Sequence, residues 1–105
     1  MTSVSLATFL PEVAETISGV TIETAADGST GYLVGERTVV VLEPDGAASF
    51  RLDPAVAAAA RRTPDTGPSV RGPEWVRFFP PAVDPHGADR ARAWFESAAR
   101  RARAG

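Results

Sequence analysis

Residues 30–54, TGYLVGERTVVVLEPDGAASFRLDP, place two tight-turn signals around a short apolar run. Val39, Val40, Val41 and Leu42 are mostly β-branched and bounded by turn residues, which predicts a strand covered on both faces. Before it, Gly31-Tyr32-Leu33-Val34 predicts another strand, and Gly35-Glu36 suits a two-residue hairpin with glycine at the position of positive φ. After it, Glu43-Pro44-Asp45-Gly46 has proline where a type I turn needs φ pre-set and glycine where the chain turns left-handed. The next stretch alternates, Ala48, Phe50 and Leu52 against Ser49 and Arg51, as a third strand should. Asp53-Pro54 then supplies an N-cap and a first helical residue.

The remainder extends this meander. Leu6, Phe9, Leu10, Val13, Ala14 and Ile17 recur at helical spacing within residues 4–18. Pro11 disfavours helical angles at Leu10, so a kink or a break is expected there, with Gly19 as the stop. Residues 20–24 alternate as a first strand, and residues 25–30 form a polar loop. A short helix over 54–62 ends near Thr63-Pro64. Residues 64–73, with three prolines and two glycines, read as a mobile surface linker. Residues 74–79, EWVRFF, predict the last strand. Asp84-Pro85 repeats the capping device, with a loose turn expected at His86-Gly87, before a helix over about 88–104. Its apolar stripe is Ala91, Trp94, Phe95, Ala98 and Ala102, with Arg92, Arg100 and Arg103 facing away. The expected architecture is α+β: a two-layer sandwich in which an antiparallel sheet of about five strands carries the N- and C-terminal helices on one face, within a single domain.

Composition limits function more than it reveals it. In 105 residues there is no cysteine and one histidine, and every one of the 11 basic residues is arginine. Thiolate nucleophiles, cysteine-based zinc sites and catalytic lysines are excluded. The all-arginine usage is what GC-rich coding produces. His86 lies between Asp84 and Asp89 in a helix-start segment, which reads as a solvated cap; no second histidine completes a metal site. No Gly-x-Ser-x-Gly elbow occurs, and Gly28-Ser29-Thr30-Gly31 lacks the lysine and following helix of a phosphate loop. The expectation is therefore no enzymatic activity, no metal and no cofactor. The start, MTSVSLATFL, lacks the basic region and long apolar core of a secretory leader, and no apolar run is long enough to span a bilayer. A cytoplasmic protein that does not engage membranes is expected.

Charge is divided along the chain. Residues 1–49 hold seven acids against Arg37 alone, and residues 50–105 hold ten arginines against six acids. Mutual attraction of the halves inside one fold accounts for such a split; an interaction surface is the alternative. Two sets of candidate residues follow. Arg92, Arg100, Arg101 and Arg103 suit phosphate contacts with nucleic acid. Trp75, Arg77 and Phe79 suit a protein or small ligand in a groove between the sheet and the last helix, with Arg77 as its polar group.

Several segments together resemble the MmcQ/YjbR-like family: Leu10-Pro11-Glu12-Val13, the run Tyr32-Leu33-Val34-Gly35-Glu36-Arg37-Thr38, Leu42-Glu43-Pro44-Asp45-Gly46, Arg51-Leu52-Asp53-Pro54 and Glu74-Trp75-Val76-Arg77. The resemblance spans residues 6–102 and implies a compact fold of the CyaY-like type and a DNA-binding label. It carries over no catalytic residues. Glu36-Arg37 stands where that family has a basic glycine turn, and its Trp-Gly element is missing. The sequence thus points to a small binding or regulatory module, with nucleic acid, protein and small ligand as the partner classes.

Overall fold

A computed structural model describes residues 5–104; Val4, at the start of the predicted helical stripe, and the rest of residues 1–4 lie outside it. The chain runs α1 (Leu6–Glu15), β1 (Val20–Thr24), β2 (Thr30–Val34), β3 (Arg37–Leu42), β4 (Ala48–Arg51), α2 (Pro54–Ala60), β5 (Thr66–Ser69), β6 (Gly72–Phe78) and α3 (Pro85–Ala104). The six strands form one antiparallel sheet in the order β1-β2-β3-β4-β6-β5. The helices pack on one face, giving the α+β sandwich. No helix among the described residues is long and apolar enough to cross a membrane.

Both predicted turns form. Gly35 has φ of 64° between the paired residues Val34 and Arg37. In the second, Gly46 has φ of 96°, its N–H donates to the Glu43 carbonyl at 3.0 Å, and the Ala47 N–H donates to Asp45 Oδ1 at 3.1 Å. These turns set the register in which Tyr32, Val40, Phe50 and Val76 lie side by side across β2, β3, β4 and β6. That row faces the helices. Tyr32 meets Phe95 edge-on at 5.4 Å, and Trp94 meets Phe50 at 5.7 Å and Phe78 at 5.2 Å.

The valine run is not sandwiched between two layers. Tyr32 pairs with Val40 and Leu33 with Thr38, so Val39 is an extra, bulged residue. A bulge lets two successive side chains share one face, and Val39 and Val40 both join the helix-side core. Val41 points to the other face and is still buried, because side chains close over it there.

Other expectations need correction. The sheet has six strands, not five. The additional strand, β5, comes from the predicted linker: Gly67 and Pro68 fit an edge strand, where a missing N–H costs no ladder bond. Thr63 and Thr66 hydroxyls both donate to the Ala60 carbonyl, tying this segment to the end of α2. Of the two alternatives at Pro11, the break is overturned: Pro11 lies inside a single helix, since the tertiary contacts of Phe9, Leu10 and Val13 outweigh the one hydrogen bond lost. The helix ends at Thr16, its C-cap, three residues before Gly19. α3 begins at Pro85 without a loose turn, because Asp84 accepts from the Gly87 N–H at 2.6 Å.

Because Phe95 is fully buried against Tyr32, Phe95→Ala should cost about 3–5 kcal/mol of folding stability. Urea denaturation should show the midpoint falling with the slope unchanged.

Candidate functional site

Three arginines from three elements converge at one end of the sheet. Arg37 opens β3 after the two-residue turn, Arg51 closes β4, and Arg101 lies near the end of α3. With Val39, Ala98 and Ala102 they line a cleft of about 180 Å³ between sheet and helix. The floor is apolar and the walls are guanidinium groups. Glu74 supplies a carboxylate: Arg101 Nη2 donates to its Oε1, and Arg51 Nη2 lies 3.6 Å from its Oε2. The Arg101 hydrogen bond, followed by the nearby charges of Arg101 and Arg51, holds the Glu74 carboxyl below its ordinary range. Arg101 is further fixed by donating to the Leu52 carbonyl at 2.9 Å.

Arg37 and Arg51 are also walls of a wider basin of about 540 Å³ on the helix-free face, completed by Glu36, Thr38, Arg71, Gly72, Pro73, Glu74 and Trp75. Arg51 and Trp75 are register partners across β4 and β6, so their side chains stand next to each other. The β5–β6 hairpin curls over this face. Ser69 Oγ lies 3.3 Å from Ser49 Oγ, and Arg71 grips Glu43 with two bonds of 2.8 and 2.9 Å. Ser49, only 1% exposed although no helix covers its face, donates to Glu43 Oε2 at 2.9 Å. The Glu43 carboxyl is lowered, first by the Arg71 hydrogen bond and, less, by Ser49, while Glu43 raises the Arg71 guanidinium.

The sequence-predicted residues distribute differently. Arg92 stacks over the Phe9 ring of α1 at 5.6 Å, and Arg103 donates to the Ser18 carbonyl, so neither simply faces solvent. Arg100 and Arg103 line a notch with Thr16, Ile17, Ser18, Glu96 and Ala99. Arg101 alone of the four turns toward the sheet. Trp75 and Arg77 alternate with the core residues Val76 and Phe78, which puts them on the helix-free face. Arg77 pairs with Asp45 and lies 5.2 Å over the Phe79 ring, which is 49% exposed. The expected groove around Trp75, Arg77 and Phe79 against the last helix is replaced there by packed core, Phe78 against Trp94; the open groove between sheet and α3 lies at the Arg37–Arg51–Arg101 end. Sequence reasoning did not single out Arg37, Arg51, Arg71 or Glu74. The one available signal was the turn register: Val40 pairs with Phe50, which brings the end of β4, Arg51, toward the start of β3, Arg37.

His86 is exposed at the start of α3, and among the described residues no group of three or more His, Cys, Asp or Glu could hold a metal ion. Comparison with known proteins adds no assignment: no family model, no curated protein and no solved structure matches the chain.

The lowered Glu43 carboxyl sets a pH dependence. Its stabilisation is complete above the unfolded-state value of 4.5 and is lost as pH falls through the lower folded-state value. Glu43→Gln should cost about 1–2 kcal/mol near neutral pH, and its deficit against wild type should shrink in urea titrations carried down to about pH 3.

Proposed function

We propose that the chain is a binding module, without catalysis of its own, that takes an anionic ligand in the cleft between the start of β3, the end of β4 and the last turns of α3. The observation that carries this is the convergence of Arg37, Arg51 and Arg101 on one cleft with Val39, Ala98 and Ala102, where Glu74 pairs with Arg51 and Arg101. Arginines from three elements gathered at one cleft concentrate guanidinium groups locally, on a chain whose net charge is −2. Guanidinium forks match the oxygens of carboxylates and phosphates, and a concave, partly desolvated site strengthens each contact. The small-ligand reading of the sequence is thereby relocated to the other end of the same helix–sheet interface. Contact with nucleic acid through Arg92, Arg100 and Arg103 draws less support, because Glu96 shares their notch and Arg92 and Arg103 already engage Phe9 and Ser18.

Titration of isotope-labelled protein with inorganic phosphate tests the site. Amide resonances of Arg37, Arg51, Ala98, Arg101 and Ala102 should move together. Arg51→Gln should weaken binding by about tenfold, the effect of one charge-assisted contact, while leaving the fold intact by circular dichroism. Shifts confined to Arg92, Arg100 and Arg103, or none at all, would reject this site.

A further inference from the structure

We propose that β1 is a dimerisation edge, on which a second copy of this chain lays its own β1 antiparallel about a twofold axis at Ile22. The two borders of the sheet are built differently. β5 carries Pro68, which has no N–H to offer, and a register shift directly after it, devices by which edge strands refuse a partner. β1 has neither: its five residues, VTIET, keep an unbroken register with β2 and include no proline and no basic residue. Among the described residues no strand lies on its outer side.

The direction of the backbone groups gives the register. The Ala25 N–H donates to the Ser29 carbonyl at 2.9 Å, so these two form a hydrogen-bonded pair continuing the β1–β2 ladder. Alternation along an antiparallel ladder then turns the N–H and C=O groups of Thr21 and Glu23 toward β2, and those of Val20, Ile22 and Thr24 outward. The outward set is symmetric about Ile22. A second β1 with Ile22 opposite Ile22 therefore exchanges hydrogen bonds there and at both Val20–Thr24 pairs, the self-complementary arrangement of a closed twofold interface. Side chains favour the same register. Ile22 shares a face with its partner Tyr32, yet Tyr32 is buried and Ile22 is 55% exposed at the border. Two Ile22 side chains brought together cover each other. Glu23 comes opposite Thr21 of the second copy, whereas sliding one strand two residues toward its loop would set Glu23 against Glu23.

Charge complementarity points to a second copy as the occupant. Beyond the strand, the same register sets Ser18 opposite Ala26 of the second copy. Beside Ser18 stand Arg103, which donates to its carbonyl, and the exposed Arg100, with Glu96 in the same notch. Next to Ala26 is the exposed Asp27. The arginine-bearing end of each β1 thus approaches the acidic end of the other, once on each side of the axis.

Sedimentation velocity at rising concentration should show a reversible monomer–dimer equilibrium, and Ile22→Lys should abolish the dimer with the circular dichroism spectrum unchanged. Amides of Val20, Ile22 and Thr24 should gain protection from hydrogen exchange as the dimer fills. The chain has no cysteine, so single cysteines report the register without background. Ile22→Cys should give a disulfide-linked dimer on mild oxidation, because Cα atoms of a hydrogen-bonded antiparallel pair lie about 5.5 Å apart. Val20→Cys and Thr24→Cys should each fail alone and crosslink when mixed. A chain that stays monomeric at every concentration, or a dimer in which those three amides exchange as in the monomer, overturns the proposal. A dimer in which Val20→Cys links to itself and Ile22→Cys does not overturns the twofold register.

Discussion

The docking of α3 through two adjacent aromatics sets the geometry on which the rest depends. Neighbouring residues on a helix diverge by about 100°, so Trp94 and Phe95 straddle the line of contact. Phe95 reaches Tyr32 on β2, and Trp94 reaches Phe50 on β4 and Phe78 on β6. Together they fix both the position of the helix over the middle strands and its rotation. Arg101 follows Trp94 by seven residues, two turns along the same face. The contact that builds the core therefore also delivers a guanidinium to the start of β3 and the end of β4.

The bulge in β3 completes that arrangement. Beyond Phe95 the apolar residues that α3 turns to the cleft are small, Ala98 and Ala102, with Arg101 beside them. A regular strand would leave this part of the interface thinly filled. By turning Val39 to the same side as Val40, the bulge raises a floor beneath the alanines and leaves Arg37 and Arg51 as walls. On the opposite face, closure is polar. Arg71 reaches from the β5–β6 hairpin to Glu43, which also accepts from Ser49, so a polar cluster of long side chains stands where no helix packs.

How much of this was legible depended on the range of the determinant. The turns at Gly35 and Gly46 are local, so their glycines announce them and the pairing of β2, β3 and β4 follows. β5 escaped notice because Pro68 and Gly67 weaken any strand signal, and only its pairing with β6 gives it extended form. The charge division was legible as a pattern, and the pairs Glu43–Arg71 and Asp45–Arg77 do join the acidic half to the basic half. The cleft was not legible. Its arginines lie 14 and 50 positions apart along the chain, and what unites them is the rotation of α3, set by contacts between distant residues. The arginine-rich end of α3 drew attention because its charges are adjacent in sequence, yet adjacency on a helix spreads side chains around the axis, and Arg100 and Arg101 go separate ways.

Glu74 shows why such a cleft suits a ligand better than it suits the fold. Guanidinium groups gathered in a partly desolvated groove repel one another, and Glu74 is shared between two of them, Arg51 and Arg101. A cleft built for stability alone would carry apolar side chains in place of its arginines. Retaining charge there is a cost that an anionic ligand would remove, so occupancy and folding stability are linked: whatever binds the folded cleft and not the unfolded chain raises the unfolding midpoint. The same logic separates the two ends of β4. Beside Ser49, Glu43 accepts from Ser49 and from both Arg71 donors and closes the structure. At Arg51, Glu74 divides itself between Arg51 and Arg101, and Arg37 lines the same cleft. The first cluster holds the hairpins together, and the second marks the end of the sheet where we propose recognition.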